Sequence, residues 1–408
     1  MKPRLLFLAQ TLPYPPTGGV KIRSYHTLRI LSSAFDVTAL CFYRWKQGRL
    51  EPDIDSALDS LQKLAEIRAF PIPSDHSRGR FLLDHLRSIL RQRVYTNFAY
   101  ESSEFEDALK TVVQQGEFDV VHSDSLDLAC YFDMIPDKCP LVCVHHDAQS
   151  LLLERRAERE PNRVVASYLR FQSRLMRQEE KRRCASVSLN VTVSTQDADV
   201  LRSLAPTGKF AVVPNGVDTE FFSPRDRPRR GMCFVGGTTW FPNRDALEYY
   251  ATELLPEIRR RLPEAETTWV GRASDDEISA YDKLDGLTMT GFVVDIRPYL
   301  AASACFVVPL RVGGGTRIKI LDAWAMGKAV VSTSVGCEGL VAVHGENILV
   351  ADDPADFAEA VATVVRDGYL RERLERNARQ TVVERYSWRV VGDKMIQVYE
   401  DLIQGDST

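Results

Sequence analysis

The chain should fold as α/β, in two Rossmann-like units that each carry a doubly wound parallel sheet. Three observations predict this. A short apolar strand, a glycine-ended loop, a helical segment and a second strand follow one another over residues 4–42. The same rhythm restarts at Met232, after the polar stretch RDRPRR at 225–230. The length of 408 residues suits two domains, at roughly 150 residues each. Short continuous apolar strands alternating with helices are the pattern of parallel sheets covered on both faces.

RLLFLA at 4–9 reads as a first buried strand. The loop LPYPPTGG ends at Gly18-Gly19, and a helix over 22–33 and a strand over 37–42 follow. Paired glycines let backbone come close to a ligand. FDVVHSDS at 118–125 and PLVCVHHDAQS at 140–150 are two further strands, each ending in His and then an acid. Open α/β sheets bind ligands at the carboxyl ends of their strands. His122, with Ser123 and Asp124, and the trio His145, His146 and Asp147 are therefore site candidates. A helix follows from about Ser150, with Glu154, Arg155 and Arg156 near its start. Val187–Val193 is another strand, and KFAVVPNGVDTEFFSP at 209–224 gives a strand, an Asn-Gly turn and an extended segment. In the second half, Met232–Val235 runs into Gly236-Gly237. A helix over 244–261 and strands over 267–270 and 287–290, ending at Gly271 and Gly291, come next.

The densest stretch is Val307–Val331, VVPLRVGGGTRIKILDAWAMGKAVV. An apolar run from Cys305 to Leu310 reads as a buried strand and breaks at Gly313-Gly314-Gly315. A helical pattern begins at Arg317, with Ile318, Leu321 and Ala325 on one face, and Ala329–Val331 opens the next strand. Strand, glycine loop and helix N-terminus together bind phosphate, because free N–H groups and the helix dipole converge there. Arg317 and Lys319 add two cations, and Asp322 adds an acid one turn later. Glycines and cations suit a diphosphate, and a carboxylate suits a ribose diol. The loop is not a Walker loop and has no GxGxxG pattern. These residues point to a nucleotide-sugar site.

Two segments are basic and amphipathic. In 78–93, Leu82, Leu83, Leu86, Ile89 and Leu90 form one face, while Arg78, Arg80, Arg87, Arg91 and Arg93 lie mostly elsewhere. Residues 163–183 carry Arg170, Arg174, Arg177, Lys181, Arg182 and Arg183. Such helices can lie on anionic lipid. The commoner arrangement, and the one expected for each, buries the apolar face in the core and leaves the polar face in water. A composition 44% hydrophobic and 26% charged is ordinary for a globular protein. The net charge of −4 arises from 31 basic against 29 acidic residues in 1–228 and 21 against 27 in 229–408. A nucleic-acid partner would call for a strong basic excess, so none is expected. Eight cysteines occur without a CxxC pair, and Cys41, Cys143, Cys233 and Cys305 lie in strand-like runs. They read as reduced core residues of a cytoplasmic protein, neither disulfides nor zinc ligands. The apolar start is too short for a signal peptide, and no window approaches the roughly 18 apolar residues of a membrane span.

VVPNGVDTEFF, FVGGTTWFPN, PLRVGGGTRIKILDAWAMGKAVV, STSVGCEGL and YSW at 386–388, in this order, resemble the retaining glycosyltransferases of family four. Within that family the chain is similar to exopolysaccharide- and exosortase-associated bacterial sugar transferases. Any one motif alone is weak; their joint order is specific and covers the chain almost end to end. The resemblance implies the GT-B architecture, two facing Rossmann-like domains with an interdomain cleft. It implies an acceptor domain at 1–215, a linker at 216–230, a donor domain at 231–385, and a C-terminal helix at 386–408 crossing back to the first domain. It also implies a nucleotide diphosphate-sugar donor and a glycan or polyprenyl-linked acceptor. No cofactor or metal is expected, and the protein would work in the cytoplasm, at the inner face of the plasma membrane with peripheral contact to anionic lipid.

Position by position, the resemblance puts Gly18 and Gly19 on the wall of the cleft and makes Asp322 the acid that holds the ribose hydroxyls. His146, or His145 beside it, resembles the family histidine that contacts the reacting sugar and phosphate. Two departures stand out. Gly314 falls where many members have a sugar-binding Glu, and Gly237 and Asn243 fall near the usual phosphate-binding Arg and Lys. A departing diphosphate still needs cations or N–H donors. Arg317 and Lys319 are expected to supply them, with Arg244 a weaker candidate. Glu338, in the turn Cys337-Glu338-Gly339, is the candidate replacement for the sugar contact, and Phe292 and Val293 are candidates for the base pocket. Gly236, Gly271, Gly313, Gly315 and Thr316 complete the expected donor site. Two rivals are a nucleotide-sugar epimerase of the same architecture and a non-catalytic nucleotide-sugar-binding scaffold.

Overall fold

The computed structural model describes residues 2–46, 49–50, 54–75 and 77–405. Its contacts divide the chain into two units, Met1–Pro214 with Gly392–Thr408, and Asn215–Val391. Each is built on one parallel sheet, so the two α/β units expected from the strand rhythm are present.

The main sheet of the first unit has seven strands: β1 Arg4–Ala9, β2 Asp36–Tyr43, β3 Glu66–Pro71, β4 Val120–Ser123, β5 Leu141–His145, β6 Leu189–Thr192 and β7 Phe210–Val212. Their order is β3-β2-β1-β4-β5-β6-β7, all parallel. The direction of winding reverses between β1 and β4, where Leu8 pairs with Ser123. At such a switch point the two neighbouring loops diverge and leave room for a ligand at the strand ends. Helix α1, Gly19–Ala34, begins three residues before the expected start. Gly18 precedes it at φ 122°, a backbone conformation open to glycine, and offers no side-chain cap.

Helix α2, Arg78–Arg91, departs from the core-packing expectation. Its buried residues are Asp84 and Ser88, and its leucines face water. The physical reason is the character of its inner neighbours. Gln172, on helix α4 (Arg163–Cys184), donates to Ser88, and Asp84 takes up the guanidinium groups of Arg80 and Arg87. Helix α3, Gln149–Arg159, packs along α4.

The second unit has six parallel strands: β8 Met232–Val235, β9 Thr267–Val270, β10 Leu287–Met289, β11 Cys305–Val308, β12 Val330–Ser332 and β13 Leu349–Val350. Their order, β10-β9-β8-β11-β12-β13, puts the switch point between β8 and β11. Trp269 and Trp324 are fully buried, and Phe234 stacks on Trp269 with ring centroids 3.8 Å apart. Burying one large apolar side chain in this way contributes about 1.5–3 kcal/mol. The helix expected over 244–261 is not continuous: α5, Phe241–Tyr249, passes into a π turn at Tyr250–Leu254 before helix resumes over Leu255–Arg261. Pro256 has no N–H to donate to the previous turn, so the ladder shifts there.

Helix α6, Ile318–Ala325, follows the glycine loop, and helix α7, Trp388–Gln404, ends the described chain. From Gly392 onward α7 belongs to the first unit, where Tyr399 packs edge-on against Phe35. All eight cysteines are free thiols, and seven are buried. Among the described residues, no helix is long and apolar enough to cross a membrane.

Candidate active site

In the second unit, β8, β9 and β10 each end in glycine, and these ends touch. The Gly271 N–H donates to the Gly291 carbonyl at 3.2 Å. A Cβ on Gly271, whose φ is 152°, would lie 2.6 Å from the backbone of Gly236 and 2.7 Å from the nitrogen of Gly237. The close approach of these strand ends therefore requires glycine. Phe292 follows Gly291 and is exposed, with the Arg272 guanidinium 5.1 Å from its ring centroid. Val293 beside it is half-buried.

The triple-glycine loop follows β11, and α6 begins at Ile318, one residue later than the pattern suggests. Arg317 is the residue before the helix and is nearly fully buried. Its guanidinium turns back on the loop: Nη1 donates to the Gly314 carbonyl and, at 2.7 Å, to that of Gly315. Nη2 donates to the Val335 carbonyl at 3.0 Å and lies 3.7 Å from the Glu338 carboxylate. A Cβ on Gly313 would come within 2.6 Å of the same guanidinium. Arg317 thus sets the shape of the loop and ties it to the turn carrying half-buried Glu338. Thr316 is buried in the same loop.

Lys319 points elsewhere. Its Nζ donates to Asn243 Oδ1 at 2.7 Å and stands 3.9 Å from the Phe234 ring centroid. Asn243 Nδ2 in turn donates to the Gly237 carbonyl at 2.9 Å. The lysine on α6 therefore stands beside Asn243 and Gly237. Burial holds its pKa well below the ordinary value, and the charge of Arg317 adds to this. Arg244 lies exposed one residue beyond Asn243. Among the described residues, no group of three or more His, Cys, Asp or Glu is placed to hold a metal ion.

Asp322, three residues after Lys319, is the other polar side chain of α6, and like Lys319 it is half-buried. Burial pushes its carboxyl up to about 8 from an ordinary 3.8. A pKa raised on folding means that folding takes up a proton between those two values. Stability contributed by this group then falls as pH rises from about 4 to about 8 and is level above. Asp322→Asn should abolish that fall. Its thermal midpoint should match wild type near pH 4 and exceed it by a margin that grows up to pH 8. Melting curves that stay parallel at every pH would show that the carboxyl is not held neutral.

In the first unit the strand ends of β4 and β5 gather around Asp124. This carboxylate is fully buried; it accepts from Ser24 Oγ on α1 and lies 3.6 Å from His122 Nε2 and 3.8 Å from His146 Nε2. Burial pushes Asp124 up, but the two imidazoles outweigh it and hold the carboxyl well below its ordinary value. For His146, burial pulls the pKa down and Asp124 more than offsets it, leaving the imidazole more basic than usual. His122 is driven the other way by burial. It stacks on Phe7 with centroids 4.2 Å apart, and its Nδ1 meets the Tyr399 hydroxyl at 2.5 Å. Arg23, also fully buried, donates to the carbonyls of Pro214 and Val213, and burial brings its pKa down to about 10.

His145 does not join His146. Its Nε2 pairs with Asn190 Oδ1 at 2.9 Å, and burial takes its pKa down to about 4. Successive residues at a strand end point to opposite sides, so only one of the two imidazoles can face Asp124. Asp147 is raised to about 7, by burial first and by the nearby charge of Asp197 second. Arg23, Ser24 and Tyr399 were not among the expected site residues. A signal existed for Arg23: with Thr27 and Leu31 it repeats at i, i+4 and i+8, in phase with the buried face of α1.

Residues 17–221 match the family described as Glycosyltransferase Family 4, and residues 229–367 match Glycosyl transferases group 1. The phosphatidyl-myo-inositol mannosyltransferase of Mycolicibacterium smegmatis is 27% identical over 213 residues, 46% of this chain and 51% of that protein. The lipopolysaccharide core biosynthesis glycosyltransferase LpsE of Rhizobium meliloti is 34% identical over 110 residues, 26% of this chain and 32% of that protein. The chain thus spans about half, or less, of the curated relatives it matches. Among solved structures, Anabaena Alr3699/HepE in complex with UDP and glucose superposes with a TM-score of 0.65 at 15% identity, over 97% of this chain and 99% of that one. Sucrose-phosphate synthase from Thermosynechococcus elongatus gives 0.71 at 15%, over 98% and 100%. At such identities the likeness is one of fold.

Proposed function

Because the chain belongs to family 4 of the glycosyltransferases, with a GT-B fold and a group 1 transferase domain in its second half, we propose that it moves a sugar from a nucleoside diphosphate-sugar to a glycan or lipid-linked acceptor. The transfer retains configuration at the sugar carbon, needs no metal, and serves bacterial surface polysaccharide synthesis at the cytoplasmic face of the plasma membrane. One observation carries this reading: the Lys319 ammonium stands at the glycine end of β8, and the next turn of α6 presents Asp322. A cation beside close-packed backbone suits a diphosphate, and the carboxyl beyond it suits a ribose diol. The UDP bound by the Anabaena protein of like fold supports a nucleotide donor.

In the proposed step the acceptor hydroxyl attacks the sugar carbon on the side of the leaving group. The new carbon–oxygen bond forms as the bond to the diphosphate breaks, and the hydroxyl proton passes to the departing diphosphate oxygen. No enzyme nucleophile is required, so catalysis lies in positioning and in stabilising the growing negative charge. Lys319 is assigned to that charge, Arg317 to the loop geometry that surrounds it, Asp322 to the ribose and Glu338 to the donor sugar. Phe292 and Val293 are assigned to the base. In the first unit, His146 is the proposed partner for a substrate hydroxyl or phosphate.

The test is a panel of nucleotide-sugars with and without acceptor, read by nucleotide release and by proton NMR of the product's anomeric centre. Release only with acceptor present, and with configuration retained, is the expected result. Inversion would overturn the stereochemical assignment. Sugar isomerisation without acceptor would make the protein an epimerase, and saturable binding without release under any acceptor would make it a scaffold.

A further inference from the structure

Helix α7 sends one polar group in among the strand ends of the first unit. Tyr399 is almost fully buried, and its hydroxyl meets His122 Nδ1 at 2.5 Å. The His122 ring is itself fully buried and stacked on Phe7, so packing fixes its orientation. A neutral imidazole has two tautomers, and the surroundings of His122 choose between them. With the proton on Nδ1, Tyr399 would accept it, and no other acceptor among the described residues would take the phenol's own O–H. A lone pair on Nε2 would then face the Asp124 carboxylate. With the proton on Nε2, the tyrosine donates to Nδ1 and an N–H faces Asp124. Burial raises the pKa of Tyr399, so the phenol keeps the proton this arrangement needs.

His122 Nε2, Asp124 Oδ1 and His146 Nε2 are buried atoms without a hydrogen bond. They converge on one carboxylate: His122 Nε2 lies 3.6 Å from Asp124 Oδ1, and His146 Nε2 lies 3.8 Å from Oδ2. Such contacts are often long in the free protein and tighten when substrate arrives. A donor on Nδ1 stabilises neutral His122 and disfavours its imidazolium. The carboxylate then has one imidazole left to charge, that of half-buried His146. Asp124 does leave His146 more basic than usual. Of the other groups near His146, Arg23 on α1 opposes its proton and Asp147 favours it. Asp127, after β4, also feels the imidazole, and burial keeps His145 neutral. We propose that Tyr399 is a positioning residue for His146: it holds His122 neutral, so that Asp124 charges His146 alone and His146 offers Nδ1–H to the substrate as an ionised donor. Only the identity of that ligand as substrate rests on the proposed sugar transfer.

The experiment labels the seven histidines of the full chain with heavy nitrogen and follows long-range proton–nitrogen spectra from about pH 5 to 9. Single His→Gln variants assign the rings. In the wild type, His122 should show the neutral Nε2–H tautomer at every pH, and His146 should titrate with a midpoint above 6.5. Tyr399→Phe removes the hydroxyl and keeps the ring that packs against Phe35. In this variant the His146 midpoint should fall by at least about half a pH unit, because His122 can then share the carboxylate's charge. Melting curves confirm that it is folded. An Nδ1–H tautomer or a charged His122 in the wild type at neutral pH would overturn the proposal without any variant. So would an unmoved His146 midpoint in folded Tyr399→Phe. Transfer gives a second readout: kcat/KM should decline above the His146 midpoint, and that limb should move to lower pH in Tyr399→Phe. A limb that stays in place while the spectra change would overturn the role in transfer. No sugar or nucleotide enters the spectra, so they decide the tautomer and the charge even if the protein transfers no sugar.

Discussion

Replacing Lys319 with alanine should lower kcat by about a hundredfold to a thousandfold, the range found when one preorganised donor to developing negative charge is removed. The expectation rests on where the ammonium stands. Its Nζ reaches Asn243 at 2.7 Å, and Asn243 reaches the Gly237 carbonyl, so the cation is held at the glycine end of β8. Burial and the neighbouring guanidinium of Arg317 already weaken its hold on a proton. An arriving diphosphate relieves that penalty, and a departing one relieves it further as its charge grows. Substitution removes a desolvated charge and leaves Asn243 its bond to Gly237, so the melting temperature should change little. Steady-state kinetics at saturating donor, with melting curves, decide the matter. A variant that unfolds identically and keeps wild-type kcat would take Lys319 out of the chemistry. A loss confined to KM would make it a ground-state contact only.

Asp124→Ala should destabilise the protein by about 3–5 kcal/mol, the usual cost of leaving a buried charge without its partner. Arg23 is fully buried with Asp124 as its nearby carboxylate, and Ser24, His122 and His146 converge on the same group. Asp124→Asn keeps the shape and isolates the charge, and its pH dependence has a definite sign. The carboxyl of Asp124 is held below 3.8, so its stabilisation is present above about pH 4 and lost as pH falls through its lowered value. The imidazole of His146 is held above 6.5, so its share is complete below pH 6.5 and lost as pH rises through its raised value. The advantage of wild type over Asp124→Asn should therefore be widest between about pH 4 and 6.5 and narrow towards alkaline pH. Denaturant titrations at pH 5, 7 and 9 test this. A gap that does not vary with pH would show that Asp124 contributes through shape alone.

Much of the fold could be read locally. A buried parallel strand announces itself as a short apolar run, and a strand end that must pass close to another announces itself as glycine. The runs at 4–9, 232–235, 267–270 and 305–310 therefore led to strands, and those at 232–235 and 267–270 pass directly into their glycines. Boundaries slipped where backbone chemistry intervened. Glycine at position 18 let α1 begin early, and Pro256 broke the helix that periodicity had drawn unbroken.

Side-chain direction was not readable in the same way. Arg317 and Lys319 are two residues apart, both basic, and equal candidates by spacing; packing sends one back onto the loop and the other across to Asn243. His145 and His146 are neighbours, and strand alternation sends them to opposite sides, but only the position of Asn190 says which is which. The apolar stripe of α2 was plain in the amino acids, yet its direction depended on Gln172, far along the chain, and on the pairing of buried Asp84 with Arg80 and Arg87 of the same helix. Strand rhythm and glycine placement follow from forces acting within a few residues, which is why the two parallel-sheet units and the ends that carry the candidate site were evident from composition and spacing. Which cation meets the glycine ends, which histidine meets Asp124 and which face of α2 meets water depend on partners tens to hundreds of residues away. Those were settled only when burial and hydrogen bonding were satisfied across the whole sheet.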